Sequence, residues 1–245
     1  MFGLSCDDRL YGHDFHDGIH GGSGSDVTDG YDGDDDLFGY GGSDEIYAGD
    51  GRDYVEVGSG SDILSGWDGH DTLYGQAGAN QVFGGKGNDS IGGGSGSDLL
   101  SGKDGNDTLL EADGDDVMYG GNGSDSLLGG TDSDLLSGNS GNDTLGGGSG
   151  DDRLYGGDGM DAIWAGTGND FLDGGEDDDW LLDEDGADTL RGSNGREYLE
   201  GGAGANRIDG GLGILMPRST LGSDSAVSLN LASGTASDRR RHRRH

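Results

Sequence analysis

One aliphatic side chain returns every ninth residue, from Leu10 to Ile208, with a single lapse at Thr28. Cut from Gly3, the chain falls into 23 consecutive nonapeptides ending at Asp209, a span of 207 residues without insertion or deletion. Position eight is Leu, Ile, Val or Met in 22 of these units. Position six is Asp in 20, and its departures, Asn80, Glu197 and Asn206, are still oxygen donors. Position four is Gly in 19, departing at Cys6, Phe15, Asp132 and Asp177. Gly93–Ser101 (GGSGSDLLS) and Gly120–Leu128 (GGNGSDSLL) show the unit plainly. A longer repeat is superposed: SDILSG at Ser61–Gly66 returns as SDLLSG at Ser97–Gly102 and Ser133–Gly138, 36 residues or four units apart each time, the mark of growth by duplication.

A fixed short period means that each unit buries its apolar side chain only by stacking on its neighbours. The first six residues read as a turn, because glycine at positions one, two and four tolerates φ > 0; Asp132 and Asp177 are among the more tolerant substitutes there. The last three read as a strand, whose alternation sends position eight to one face and positions seven and nine to the other. One strand per unit gives two per coil, lying in two facing parallel sheets. Unit n then stacks on unit n+2, eighteen residues away. One inner column runs Leu10, Thr28, Ile46, Leu64, Val82, Leu100 onward, and the other Ile19, Leu37, Val55, Leu73, Ile91, Leu109 onward. At about 4.8 Å per stacked strand, the coils make a rod on the order of 55 Å long.

Composition sharpens this picture. The 245 residues include 58 Gly and one Pro, only 29% are hydrophobic, and the net charge is −35. An ordinary globular domain is richer in apolar residues, and low hydrophobicity with high charge normally means disorder. Collagen is excluded, because Gly does not recur every third residue. What remains is a folded chain whose charge is cancelled by bound cations. The acidity speaks against nucleic acid and anionic membrane surfaces as partners. No apolar run reaches membrane-spanning length. The start, MFGLSCDDRL, shows no cleaved signal peptide. Cys6 stands alone, so no intrachain disulfide forms, and it reads as a small side chain in an atypical first unit.

Eighteen-residue stacking aligns the position-six residues in two rows. One holds Asp8, Asp26, Asp44, Asp62, Asn80, Asp98, Asp116, Asp134, Asp152, Asp170, Asp188 and Asn206; the other holds Asp17, Asp35, Asp53, Asp71, Asp89, Asp107, Asp125, Asp143, Asp161, Asp179 and Glu197. Carboxylates one strand separation apart repel unless a cation lies between them. Ca²⁺ accepts six to eight oxygens in loose geometry, which two carboxylates and glycine-turn carbonyls can supply, whereas Mg²⁺ demands a tighter octahedron. A single Cys and irregularly placed His argue against zinc. Residues 1–209 carry 47 acidic and 8 basic side chains, a net −39, while the eleven and ten gaps of the two rows would bring +42 if all 21 held Ca²⁺.

The unit resembles the nonapeptide G-G-x-G-x-D-x-U-x of the repeats-in-toxin (RTX) hemolysin-type calcium-binding family, over 207 of 245 residues. The resemblance implies an all-β, right-handed parallel β-roll of 23 nonapeptides, two per coil. It implies Ca²⁺ between turns, up to about 21 ions, held by the twenty position-six Asp residues named above and by carbonyls of the glycine segments. It further implies an extracellular protein, exported by a type I secretion machinery and kept unfolded until it meets external calcium. Asn80, Glu197 and Asn206 depart from the ligand pattern, as do Cys6 and Phe15 from the turn.

Residues 3–209 are therefore expected to form the calcium-binding roll, and 210–245 an irregular tail, truncated or frame-shifted. In that tail the frame breaks at GLGILMPRST, and Ser223–Ser237 alternates like the segment that often follows such repeats in this family. The end, DRRRHRRH, differs from the family's apolar, hydroxyl-rich secretion signal. His13, His16 and His20 read as exposed turn residues rather than a metal site. Thr72, Ser90, Thr108, Ser126 and Thr144 read as strand formers rather than an ice-binding ladder. Phe83, Tyr119 and Tyr155 read as duplicated surface aromatics rather than a sugar platform. No H-E-x-x-H, G-x-S-x-G or Walker pattern occurs, so no enzyme is expected. The leading expectation is a secreted module that folds and stabilises on binding extracellular Ca²⁺. The rivals are a detached module of a secreted lipase, protease or polysaccharide epimerase, and an adhesin or ice-binding surface.

Overall fold

The computed structural model describes residues 1–211 and the backbone of the strand Ser228–Asn230. Among the described residues there are strands and turns but no helix. Strands pair in parallel with those eighteen residues before and after: Leu100 lies opposite Val82 and Met118, and Leu109 opposite Ile91 and Leu127. Strands that open in the odd-numbered units, with Ser228–Asn230, build one thirteen-stranded sheet; strands that open in the even-numbered units, with Asp185–Gly186 and Ala203–Gly204, build the other. This is the expected parallel β-roll.

Position eight points inward throughout. Its aliphatics are 0–9% exposed, the highest values being those of Leu10 and Ile208 at the two ends of the repeat. Thr28 is equally buried, taking the aliphatic place in its column. Three position-one side chains, Ala48, Val57 and Ala165, join this core at 0% exposure.

Two local expectations are corrected. Some strands have the expected three residues, such as Ser90–Gly92 and Thr108–Leu110, but many are longer: Leu99–Asp104 and Val117–Asn122 run on through position three of the next unit. Ser101 pairs with Tyr119, and after a kink Lys103 pairs with Gly121 and Asp104 with Asn122. Successive coils superimpose closely enough that the turn backbone keeps pairing across coils, whatever side chains it carries. The second correction concerns the glycines. Positions two and four do adopt φ > 0, as at Gly121 (123°) and Gly123 (131°), and Asp132 (71°) and Asp177 (74°) occupy the same region. Position one does not. Glycine stands there for space, because a Cβ on Gly21 would lie 2.6 Å from Asp26 Oδ2 and 3.0 Å from the Gly39 carbonyl oxygen.

On the outer faces, Thr72, Ser90, Thr108, Ser126 and Thr144 stack in register, while Phe83, Tyr119 and Tyr155 alternate with serines on the opposite sheet. His20 stacks between Phe2 and Phe38, at ring separations of 4.6 and 4.9 Å. His13 and His16 are exposed. From the tail, Ser228–Asn230 extends the odd-unit sheet beside Arg207–Asp209. The DRRRHRRH end and GLGILMPRST past Gly211 lie outside the described residues, as does the rest of the alternating segment.

Candidate metal centres

The position-six side chains are the most regular polar feature of the roll. Position five ends the turn and position seven opens the strand, so the backbone carries each Asp inward at the sheet edge. From Asp26 to Asn206 every position-six side chain is 0–3% exposed. Asp8 and Asp17, in the first coil, are half-buried. Each row is a ladder. Oδ1 accepts the backbone N–H of the position-six residue eighteen earlier: Asp89 donates to Asp107, and Asp107 to Asp125, both at 2.8 Å. The ladder runs from Asp8→Asp26 and Asp17→Asp35 to Asp179→Glu197 and Asp188→Asn206. The structure thus brings all twenty expected Asp residues into the two expected rows.

The second carboxylate oxygen has no such partner. Oδ2 of every position-six Asp from Asp26 to Asp188, with Glu197 Oε1, is buried and accepts no hydrogen bond. A buried carboxylate oxygen without a donor is costly, and here the cost recurs in nearly every unit. Where position one is glycine, the free oxygen of most units faces the small space that the missing side chain leaves, with a carbonyl of the next coil on its far side. A Cβ on Gly39 would lie 2.5 Å from Asp44 Oδ2 and 2.7 Å from the Val57 carbonyl oxygen. Carbonyls of positions two and four also turn toward the neighbouring coil, as Tyr40 O does at Gly58 and Gly42 O at Gly60. The donor set is wholly oxygen, part anionic and part carbonyl, which suits a hard cation of loose geometry such as Ca²⁺.

The electrostatics agree. Burial pushes Asp71 and Asp179 up to about 8, and Asp53, Asp107, Asp134 and Asp161 up to about 7. The donated backbone N–H opposes this rise, and neighbouring carboxylates of the row add to it. Without a counter-cation, the rows are held away from full ionisation.

Two ligand-type residues were not foreseen. Glu111 and Asp183 replace the position-one glycine and send carboxylates into the same row. Their signal was present in the frame, as acidic residues at a position that is glycine in most units.

The family model described as RTX calcium-binding nonapeptide repeat matches the chain at residues 2–37, 29–64, 47–82, 56–91, 74–109, 92–127, 112–145, 146–181 and 183–214. No curated protein matches the chain.

Proposed function

Since the chain belongs to the RTX calcium-binding nonapeptide repeat family, whose repeats bind Ca²⁺, we propose that it is the calcium-triggered folding and stabilising module of a secreted protein. Its functional unit is residues 3–209, and 210–245 form a tail to it. The ions lie between successive coils of each row. They are held by Oδ2 of the position-six Asp residues, Asp8 and Asp17 through Asp179 and Asp188, together with turn carbonyls. The observation that carries this reading is the file of buried carboxylate oxygens with no donor. Bound Ca²⁺ supplies the positive charge that those oxygens lack. The protein's part is to place two carboxylates and a carbonyl around each gap, and to exclude water from them. The module does no chemistry of its own; its carboxylates are ligands rather than acids and bases.

A chain whose carboxylates repel in the absence of calcium stays extended where calcium is scarce and folds where it is plentiful. That behaviour fits export in an unfolded form through a type I secretion route and folding outside the cell. The test is a calcium titration followed by circular dichroism. The calcium-free chain is expected to be largely disordered and to gain β-structure cooperatively at millimolar Ca²⁺, since binding only to the folded state stabilises it by mass action. A β-rich spectrum that survives strong chelation would sink the proposal.

A further inference from the structure

Position one is glycine in 18 units and something else in five. Ala48, Val57 and Ala165 close the space with carbon. Glu111 and Asp183 close it with charge. Glu111 reaches back over the preceding coil, where Gly94 N–H donates to its Oε2 at 2.9 Å and where a Cβ on Gly93 would collide with its carboxylate. Its Oε1 is buried without a partner. One carboxylate oxygen from each of Asp98, Glu111 and Asp116 lies within 4.8 Å of the others. The arrangement recurs 72 residues later, four whole coils along the same row. There Asp170, Asp183 and Asp188, only 3%, 6% and 1% exposed, bring one oxygen each within the same limit. Asp183 Oδ1 accepts the Glu184 N–H at 2.8 Å; the Asp183 and Asp188 carboxyls approach closely enough to share a proton, and Oδ2 of all three is buried with no N–H donor.

A cluster of acids on a surface would mean little. These are different, because three carboxyl groups, at least two of them buried in each cluster, meet with oxygens converging and no N–H donor to satisfy those oxygens. An ordinary gap places two carboxylates around its cation. A third raises the anionic charge of the site, the variable by which oxygen-ligand sites tune calcium affinity.

We propose that Asp98–Glu111–Asp116 and Asp170–Asp183–Asp188 form two three-carboxylate cation sites, which bind Ca²⁺ more tightly than the two-carboxylate gaps and fill first. This rests on the reading of the position-six residues as calcium ligands. It adds that the roll has two preferred loading points, four coils apart, from which folding spreads to neighbouring coils.

The test is calcium binding to the full chain by chelator competition, in wild type, in an E111G/D183G double variant and in an E111Q/D183N double variant. Wild type is expected to bind about two ions at least tenfold more tightly than the rest, roughly the effect of one added charge on a divalent ion. Both variants should lose that tight class and keep the weaker ions. A tight class unchanged in the variants would overturn the proposal. So would extra ions in E111G/D183G, which would mean that the two side chains plug their gaps. Absence of any calcium binding by wild type would overturn the position-six reading itself, whereas a single uniform class in wild type would overturn only the present inference. Hydrogen exchange on wild type at about two equivalents of Ca²⁺ needs no variant. Protection should appear first in residues 93–119 and 165–191, and protection beginning elsewhere would contradict the assignment.

Discussion

At the scale of single residues, Asn80 is the informative departure. Its Oδ1 keeps the ladder, accepting the Asp62 N–H at 3.1 Å. Its Nδ2 takes the place of the free oxygen, 2.7 Å from where a Cβ on Gly75 would lie, with the Gly93 carbonyl oxygen equally near that point. An NH₂ group there presents hydrogens to a space that its neighbours line with oxygen, and it removes one charge from the gaps on either side. Asn80→Asp is therefore expected to lower the calcium midpoint of folding, measured by circular dichroism; a raised midpoint would show that the ligands are wrongly assigned. At this scale the sequence was legible where one residue type recurs, and less so where position one varies. The frame located every position-six side chain that the two rows bring together. It misread the position-one glycines as conformational, because composition alone does not separate a glycine needed for its φ from one needed for its missing Cβ. Glu111 and Asp183 were passed over for the same reason.

At the scale of the element, the repeating coil is the unit of cooperation. Asp107 accepts from Asp89 and donates its backbone N–H to Asp125, so it belongs to two gaps. Asp8 stands at the start of its row, half-buried, donating to Asp26 and accepting from Leu4. If stability is a sum of coil and interface terms, Asp107→Ala should remove more order than Asp8→Ala and should split the protected region near its middle. Hydrogen exchange on both variants at a fixed, half-saturating Ca²⁺ concentration measures this, and equal losses would contradict eighteen-residue stacking. The strand pattern itself was readable from one alternating triplet per unit. Its continuation into positions two and three was not, because that pairing is made by backbone alone and leaves no mark on side-chain choice.

At the scale of the whole molecule, the proposed ligands put protons and calcium in competition for the same oxygens. In the metal-free roll burial raises the position-six carboxylates, to about 8 at Asp71 and Asp179 and about 7 at Asp107, from 3.8 in the open chain. A raised folded-state value means that the folded form holds its proton more firmly than the unfolded form does. The contribution is therefore fully present below pH 4 and is lost as the pH climbs through 4 to 8. The calcium-free chain is expected to gain β-structure on acidification from pH 8 toward pH 4, followed by circular dichroism. The calcium-loaded chain should need more Ca²⁺ as the pH falls over the same range. A calcium-free spectrum indifferent to pH between 4 and 8 would show that the buried carboxylates do not oppose folding.

The division of labour between odd and even units has a consequence for how such a chain can grow. Because neighbouring units alternate between two walls, adding an even number of units returns every downstream residue to the wall it came from, and adding an odd number moves it across. The duplicated block of four units is even. Phe83, Tyr119 and Tyr155 are accordingly found on one wall, and Glu111 and Asp183 in one row. The interior is largely indifferent to this parity, since nearly every unit brings the same aliphatic at position eight and Asp at position six. Only the outward columns and the rare position-one substitutions record it. Lengthening by whole coils copies a surface intact, and lengthening by half a coil would shuffle that surface while leaving the fold untouched.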